Sequence, residues 1–191
     1  MDTAKKIPVG VSARHIHVSR EDLDVLYGKG YELTVMKDLS QPGQYAAKEN
    51  VELVTEKGTM KVRILGPVRK QTQIELALTD AVKLGITPPV RDSGELKGSP
   101  GLTIKGPQGE VKIDEGVIAA CRHIHMTPAE AEVFCLNDKD IVKVRCGGDR
   151  GLIFDNVLVR VNDNYSLEMH IDTDEGNAAM LHTGEAVQIV K

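Results

Sequence analysis

The chain has 191 residues, of which 41% are hydrophobic, 27% are charged and only 3% are aromatic. This composition is typical of a soluble protein whose cores are built from aliphatic side chains, and no stretch approaches the ~18 apolar residues that a membrane-spanning helix needs. A net charge of −4 provides no electrostatic basis for binding nucleic acid or an anionic membrane.

The predicted elements, taken in chain order, are mostly short strands. They are rich in Val and Ile and are separated by Gly, Asn or Asp turns, which favours small barrels over a helix-rich α/β fold. The predicted strands are Ile7–Ser12, Val51–Thr55, Met60–Leu65, Gln73–Leu78, Val111–Ile113, Ile141–Arg145, Leu152–Val161, Leu167–Ile171 and Ala186–Val190. The Pro- and Gly-rich stretch Gly85–Gly101 predicts a linker between two halves, and Thr173–Ala178 predicts a turn into a short helix.

One internal repeat dominates the sequence. Arg14-His15-Ile16-His17 recurs as Arg122-His123-Ile124-His125, at an offset of 108 residues (123 − 15). A helix start follows each copy, because Ser19–Asp22 predicts an N-cap and Thr127–Glu130 predicts a capping box with Pro at the first helical position. A tandem duplication is the simplest explanation.

The repeated H-x-H pair predicts a metal half-site in each copy. Side chains alternate along a strand, so both imidazoles of a pair project from one face. Two neutral imidazoles that converge on one point suit a transition metal, zinc above all. A single H-x-H pair is as often two half-exposed histidines, but the second identical copy favours the metal interpretation.

Each pair needs a further ligand, because catalytic zinc usually has three protein ligands and one open position. His170, in a strand-like run with acidic neighbours, is the better candidate for the second pair, whereas His182 is expected to cap a helix end. Glu75 is the candidate for the first pair because apolar residues flank it. An outward-facing charge on an alternating strand is its structural alternative.

Two other residues have competing interpretations. Cys121 shares a strand face with the second His pair and is either a ligand, a nucleophile or a small buried residue. The last is favoured because Ala13 takes the equivalent place in the first copy. Arg69 is a candidate phosphate clamp, since a guanidinium binds phosphate bidentately, and an exposed loop arginine is the alternative.

These segments resemble the PduL-type phosphate propanoyltransferases, the phosphotransacylases of bacterial propanediol-degrading microcompartments. The matching segments are Pro8–His17, Gly66–Arg69 with Gln73–Glu75, Arg122–Met126 and Leu167–Asn177. The resemblance implies a mainly β protein made of two small β-barrel domains with short helices. Residues 14–120 would form one domain, and residues 1–13 plus 121–191 would form the other, the first strand crossing over.

The resemblance also implies a dinuclear zinc site with two ions per chain. His15, His17 and Glu75 would hold one zinc, whose open position takes the coenzyme A sulfur. His123, His125 and His170 would hold the second, completed by water or phosphate. Arg69 would be the catalytic phosphate clamp, and the residues implied to line the coenzyme A pocket are Ser12, Lys37, Arg63, Leu65 and Asn177.

The implied reaction interconverts acyl-CoA and phosphate with acyl phosphate and CoA, the acyl group being propanoyl or acetyl. Direct transfer at the two zinc ions is expected, and the absence of a G-x-S-x-G nucleophile elbow agrees with this. The family likeness implies a homodimer. Members carried into microcompartments have an N-terminal amphipathic extension, whereas only Met1–Lys6 precedes the first strand here, without the apolar run of a signal peptide. Three cysteines without a C-x-x-C pair add to the expectation of a cytoplasmic protein.

Two alternatives belong to other functional classes. A two-barrel cupin-like oxygenase would add Glu21 and Glu130 to the His pairs as metal ligands. Both glutamates fall inside helix-start signatures, however, and Pro128 would disrupt a central strand. A non-catalytic metal-binding module would need neither an open coordination position nor Arg69.

Overall fold

The computed structural model describes residues 5–190, so part of the Met1–Lys6 segment lies outside the described residues. The chain is mainly β, as predicted. Its elements are β1 (Ile7–Ser12), β2 (His15–His17), α1 (Arg20–Tyr27), β3 (Val35–Asp38), β4 (Tyr45–Val54), β5 (Thr59–Gly66), β6 (Gln73–Glu75), α2 (Leu78–Leu84), β7 (Val90–Arg91), β8 (Leu102–Lys105), β9 (Glu110–Ile113), β10 (Val117–Ala120), β11 (His123–Met126), α3 (Pro128–Phe134), β12 (Ile141–Cys146), β13 (Leu152–Val161), β14 (Glu168–Asp172), α4 (Thr173–Ala179) and β15 (Ala186–Val190). Within the described part of the chain, every helix is too short to cross a membrane.

The chain divides into two compact units. The first unit holds the N-terminal segment up to Ser12, the short stretch Ser40–Pro42 and everything from Cys121 onward. The second unit holds Ala13–Leu39 and Gly43–Ala120. Each unit has its own aliphatic core, as the scarcity of aromatic residues predicts.

The first unit is a closed barrel with the strand order β1-β14-β11-β13-β12-β15. Its core includes Ile7, Ile124, Val144 and Val159, all of them fully buried. Alternate residues of each strand face this core because side chains alternate along a strand. The His pair on β11 therefore lies on a strand that two neighbours fix in place, β13 in parallel and β14 in antiparallel orientation.

The second unit is a nine-stranded sheet with the order β7-β10-β6-β2-β5-β4-β8-β9, and β3 pairs with β4. Here β2 lies between β5, which is parallel to it, and β6, which is antiparallel. The environment of β2 thus repeats that of β11 strand for strand. The duplication seen in the sequence is therefore present in the strand pairing as well.

The strands that precede the two His pairs are exchanged between the units. β1 comes directly before β2 in sequence but pairs in parallel with β14 of the first unit. β10 comes directly before β11 but pairs in parallel with β6 of the second unit. Each unit is consequently completed by a strand from the other repeat.

Helix starts agree with the predictions at both repeats. The Ser19 hydroxyl accepts a hydrogen bond from the backbone N–H of Asp22 at 3.1 Å. Thr127 and Glu130 form a reciprocal capping box at the start of α3. These local devices satisfy backbone donors that have no partner inside the helix.

Two sequence predictions were wrong in the second unit. The strand predicted over Gln73–Leu78 stops at Glu75, and α2 starts at Leu78 after an N-cap, Ala77, that has no side-chain hydrogen bond. The predicted linker Gly85–Gly101 lies inside the unit. It contains β7, which pairs with β10, so its backbone groups are used in the sheet.

Candidate metal centres and active-site residues

The first cluster consists of His15, His17 and Glu75, and it lies in the second unit. His15 is directly opposite Glu75 in the antiparallel β2–β6 register, so both side chains lie on one face of the sheet. Their Nε2 and Oε2 atoms are 3.4 Å apart. The candidate ligand atoms of all three residues lie within 4.8 Å of one another. This is the spacing that a single metal ion can bridge.

Backbone carbonyls orient the two imidazoles of the first cluster. Nδ1 of His15 lies 2.9 Å from the carbonyl oxygen of Ala13, and Nδ1 of His17 lies 3.2 Å from that of Leu65. When Nδ1–H donates to a carbonyl, Nε2 carries no proton and its lone pair can bind a metal. Burial, with the nearby His15 and Arg69, lowers the pKa of His17 to about 3. His17 is therefore neutral at physiological pH, which is the form that binds metal.

The second cluster consists of His123, His125 and His170, and it lies in the first unit. His123 is opposite His170 across β11 and β14. The Nε2 atoms of His123 and His125 are 3.0 Å apart, and the three candidate ligand atoms again lie within 4.8 Å of one another. Nδ1 of His123 lies 2.8 Å from the carbonyl oxygen of Cys121, which repeats the contact between His15 and Ala13.

His125 gives the best test of whether the second cluster suits a metal. Its Nδ1 atom is buried and has no hydrogen-bond partner in the part of the chain that the structure describes, which is uncommon for a polar atom in a protein interior. Burial, with the neighbouring His123, His170 and Arg160, lowers its pKa to about 2. Three converging imidazoles, one of them held neutral by burial, are a donor set that suits zinc.

The third member of each cluster comes from the equivalent strand but not from the same residue type. Gln73-Ile74-Glu75 on β6 corresponds to Glu168-Met169-His170 on β14, because both triplets pair with an H-x-H strand in the same register. The carboxylate has therefore moved by two positions between the repeats. In the second unit the carboxylate, Glu75, is a member of the cluster. In the first unit the carboxylate, Glu168, contacts the cluster member His170.

Glu168 is a site residue that the sequence reasoning missed. It is buried, and its Oε2 atom lies 2.6 Å from Nε2 of His170 and accepts a hydrogen bond from the Ser40 hydroxyl. Burial acts to raise the pKa of Glu168, but the hydrogen bonds from His170 and Ser40 outweigh it and lower the pKa. A Cβ atom at Gly10 would lie 2.9 Å from this carboxyl group, so glycine leaves room for it.

The arginine of each repeat motif forms an ion pair with the helix that follows the third cluster member. Arg14 lies 3.3 Å from Asp80 on α2, and Arg122 lies 2.6 Å from Glu175 on α4. Both acidic residues occupy the third position of their helix. From the sequence, the two arginines are recognised only as part of the repeated motif. Their acidic partners, Asp80 and Glu175, could not be found from sequence spacing.

Arg69 lies beside the first cluster. Its backbone N–H donates to the carbonyl of Val18 at 2.9 Å, directly after the His pair. Its Nη1 atom donates to the hydroxyl of Ser93 at 3.2 Å. The Ser93 hydroxyl in turn donates to Oε1 of Glu75 at 3.1 Å. Arg69 is thus half-buried and tied to the cluster.

The residues predicted to line the coenzyme A pocket are divided between the units. Ser12 at the end of β1 and Asn177 on α4 belong to the first unit, and Asn177 is exposed. Lys37, Arg63 and Leu65 belong to the second unit. Lys37 is exposed on β3, while Nη1 of Arg63 donates to the carbonyl of Ala47 at 2.6 Å.

Three other sequence expectations have an outcome. β11 begins at His123, so Cys121 precedes the strand, and it contributes a carbonyl contact to the second cluster, which does not include its sulfur. His182 lies beyond the end of α4, and its side chain is 81% exposed beside Glu185, so the expected helix cap is wrong. Glu21 and Glu130, required by the cupin alternative, lie in the first turns of α1 and α3.

Comparisons with known proteins cover nearly the whole chain. The family model described as phosphate propanoyltransferase matches residues 8–182. A curated phosphate propanoyltransferase of Thermotoga maritima is 60% identical over 187 residues, which is 97% of this chain and 89% of the relative. Proteins of the same name from Clostridioides difficile and Listeria monocytogenes are 50% and 48% identical over 186 residues, 97% of this chain and 89% and 87% of the relatives. Both clusters lie within the matched region.

Proposed function

Because the chain belongs to the phosphate propanoyltransferase family, whose members are acyltransferases, we propose that it interconverts propanoyl-CoA and phosphate with propanoyl phosphate and CoA. We further propose two zinc ions per chain, one in each cluster, and acetyl-CoA as a second substrate. The observation that carries this proposal is the pair of three-residue clusters whose ligand atoms converge within 4.8 Å. A non-catalytic metal-binding module would not need Arg69 beside one of them.

The two clusters differ in charge, which supports different tasks. The first contributes one carboxylate and two neutral imidazoles, whereas the second contributes three imidazoles. Bound zinc would lower the pKa of a coordinated coenzyme A thiol, giving thiolate at neutral pH, and would polarise oxygen ligands. The second cluster's neutral ligand set leaves more positive charge for an anionic substrate such as phosphate.

Arg69 is the proposed phosphate clamp. A guanidinium keeps its charge at every physiological pH and binds phosphate oxygens through parallel N–H bonds. The bond from Arg69 to Ser93 fixes the side chain before substrate arrives, so little entropy is lost on binding. As a phosphate oxygen attacks the thioester carbonyl, Arg69 would stabilise the negative charge that develops on the carbonyl oxygen and on the bound phosphate.

We propose that the acyl group moves directly between the two substrates. A new bond forms between the phosphate oxygen and the carbonyl carbon, the carbon–sulfur bond breaks, and coenzyme A leaves as thiolate. Cys121 is the alternative nucleophile, and a covalent acyl-enzyme through its sulfur would release CoA without phosphate. Single-turnover mixing of enzyme and propanoyl-CoA without phosphate separates the two routes, since only the covalent route gives a burst of thiol.

The test of the function is release of coenzyme A from propanoyl-CoA, followed with a thiol reagent. We expect the release to require phosphate, to stop after treatment with a chelator and to return with zinc. Thiol release that continues over many turnovers without phosphate would indicate a hydrolase and refute the transferase assignment. Full activity in the chelator-treated protein would refute the zinc assignment alone.

Arg69→Ala tests the clamp, with Arg91→Ala as the matched control because Arg91 is an exposed arginine of the same unit. Arg69→Ala should retain zinc and lose nearly all turnover, whereas Arg91→Ala should behave like the wild type. Full activity in Arg69→Ala would remove this residue from the mechanism. We also propose a homodimer from the family likeness, which sedimentation equilibrium would test.

A further inference from the structure

We propose that Ser93 is a positioning residue that links Arg69 to Glu75 through a single hydroxyl. This inference rests on the proposed function, because it concerns how the phosphate clamp and one metal ligand are held relative to each other. Ser93 lies just after β7, in the stretch that the sequence had suggested was a linker.

The hydroxyl of Ser93 uses its full hydrogen-bonding capacity. It accepts from Nη1 of Arg69 at 3.2 Å and from Nε2 of Gln73 at 2.7 Å. It donates its one proton to Oε1 of Glu75 at 3.1 Å. A serine hydroxyl has one donor and two acceptor positions, so these three contacts satisfy it completely. Such an arrangement specifies the direction of every bond in the network.

Gln73 fixes the orientation of the network because its own amide is oriented. The side chain is 1% exposed, and its Oε1 atom accepts from the backbone N–H of Gly94 at 2.9 Å. That contact assigns the other end of the amide as Nε2, which donates to Oε1 of Glu75 at 2.5 Å and to Ser93. Gly94 has φ +102°, which glycine adopts without strain.

The carboxylate of Glu75 is therefore held asymmetrically. Its Oε1 atom accepts from both Gln73 and Ser93, whereas its Oε2 atom lies 3.4 Å from Nε2 of His15. Oε2 is consequently the atom presented to the first cluster, and Glu75 would bind a metal through one oxygen. Outer hydrogen bonds of this kind typically change metal affinity by about 10- to 100-fold.

The location of Ser93 follows from the sheet. β7 pairs in parallel with β10, with Val90 opposite Ala119 and Arg91 opposite Ala120. β10 in turn pairs with β6, where Ile118 is opposite Glu75. These pairings place Ser93 beside the side chains of Gln73 and Glu75 on β6. The local sequence Asp92-Ser93-Gly94 does not by itself indicate these contacts.

Removal of the hydroxyl should weaken two functions together. Glu75 would lose one of its two Oε1 bonds and could rotate away from His15, which lowers zinc affinity at the first cluster. Arg69 would lose an acceptor that helps to orient its guanidinium, which raises the KM for phosphate. A residue that only stabilised the fold would affect both clusters and both substrates equally.

The experiment compares Ser93→Ala with Ser93→Thr and Ser99→Ala in the full chain. Thr keeps the hydroxyl and should rescue. Ser99 is the matched control because its hydroxyl is buried in the same stretch and, among residues 5–190, bonds Leu96 and Gly116. Zinc affinity is measured by competition with a chromophoric chelator, and KM is measured separately for phosphate and propanoyl-CoA. Should Ser93→Ala fail to fold, Ser93→Cys keeps the volume and tests the same loss.

We expect Ser93→Ala to lower the affinity for zinc at one cluster, the first, by about 10- to 100-fold. We also expect it to raise the KM for phosphate more than the KM for propanoyl-CoA. Zinc affinities unchanged from the wild type at both clusters, together with an unchanged KM for phosphate, would overturn the role of Ser93 and leave the proposed function intact. A wild-type protein that binds no zinc would overturn the proposed function, and this inference with it. Loss of zinc in Ser99→Ala to the same extent would also overturn it, by showing a general effect of the stretch.

Discussion

The two arginines of the repeat, Arg14 and Arg122, are expected to contribute unequally to the free energy of unfolding. Arg122→Ala removes an ion pair with Glu175 of 2.6 Å in which the two side chains are 32% and 17% exposed. It also removes a hydrogen bond to the carbonyl of Asp155 at 3.0 Å and a cation–π contact with Phe154 at 5.2 Å. Arg14→Ala is the matched change at the equivalent position of the other repeat.

The expected magnitudes follow from geometry and exposure. A hydrogen bond to a charged group contributes about 1.5–3 kcal/mol, and the exposed cation–π contact adds about 0.5–1 kcal/mol. We therefore expect Arg122→Ala to lower the free energy of unfolding by about 2–4 kcal/mol. The pair of Arg14 with Asp80 is longer, at 3.3 Å, and Arg14 is 43% exposed, so its loss should cost only about 0.5–1 kcal/mol. Asp80 also keeps Lys83 at 3.2 Å.

Urea unfolding of the metal-free chain, followed by circular dichroism, measures these differences. A double-mutant cycle with Glu175→Gln isolates the ion pair, because Gln at this position preserves the capping box of α4. The coupling energy should exceed about 1 kcal/mol for Arg122 with Glu175 and should fall below about 0.5 kcal/mol for Arg14 with Asp80. Equal coupling in the two repeats, or a larger loss for Arg14→Ala, would refute the reasoning.

The effect of Arg122→Ala should also depend on pH. Burial raises the pKa of Glu175 above its ordinary value, and Arg122 partly opposes that shift. The ion pair therefore stabilises the fold above this raised pKa and is lost as the pH falls through it, since a protonated carboxyl no longer attracts the guanidinium. The difference in the free energy of unfolding between wild type and variant should narrow in acid to the part contributed by Asp155 and Phe154, and a difference that stays constant with pH would contradict the assignment.

Three further results are expected. The pKa values of about 3 for His17 and about 2 for His125 mean that only the unfolded chain takes up protons near pH 6.5, so the metal-free protein should lose about 1.2 kcal/mol per histidine between pH 7 and pH 5.5. The variant His17→Gln should lose less stability than the wild type over this pH range, and an equal loss in the two proteins would contradict this prediction. Zinc at 100 times its Kd should stabilise each cluster by about 2.7 kcal/mol, and an unchanged melting temperature would argue against binding. Glu168→Gln should weaken zinc at the second cluster about tenfold through His170, whereas equal affinity in chelator competition would exclude that role.

Much of the fold and two of the three members of each cluster could be predicted from local sequence. β1, β13 and β15 begin and end where the alternating apolar pattern predicts. The helix starts at Ser19 and Thr127 were found because a cap and its helix are neighbours in sequence. The repeated H-x-H pairs were also found from local sequence, because the strand period of two is enough to bring both imidazoles to one face.

Other elements lacked any local signal. α2 starts without a capping side chain, so its first residues continued an apparent strand. β7 is only two residues long, too short for a pattern, and its stretch looked like a linker because of its Pro and Gly content. The linker prediction concealed Ser93, which lies in that stretch.

The residues that complete the clusters were decided by strand register over long sequence distances. Glu75 and His170 were chosen as candidates by their types, but the sequence could not show that both stand at the same place in equivalent strands. Nor could it show that Glu168 and Gln73 are the corresponding supporting residues, or that the repeats exchange the strands before their His pairs. Local periodicity therefore determined which side chains point together along one strand. Only tertiary pairing, which depends on hydrogen bonds between segments far apart in the chain, determined what stands opposite them.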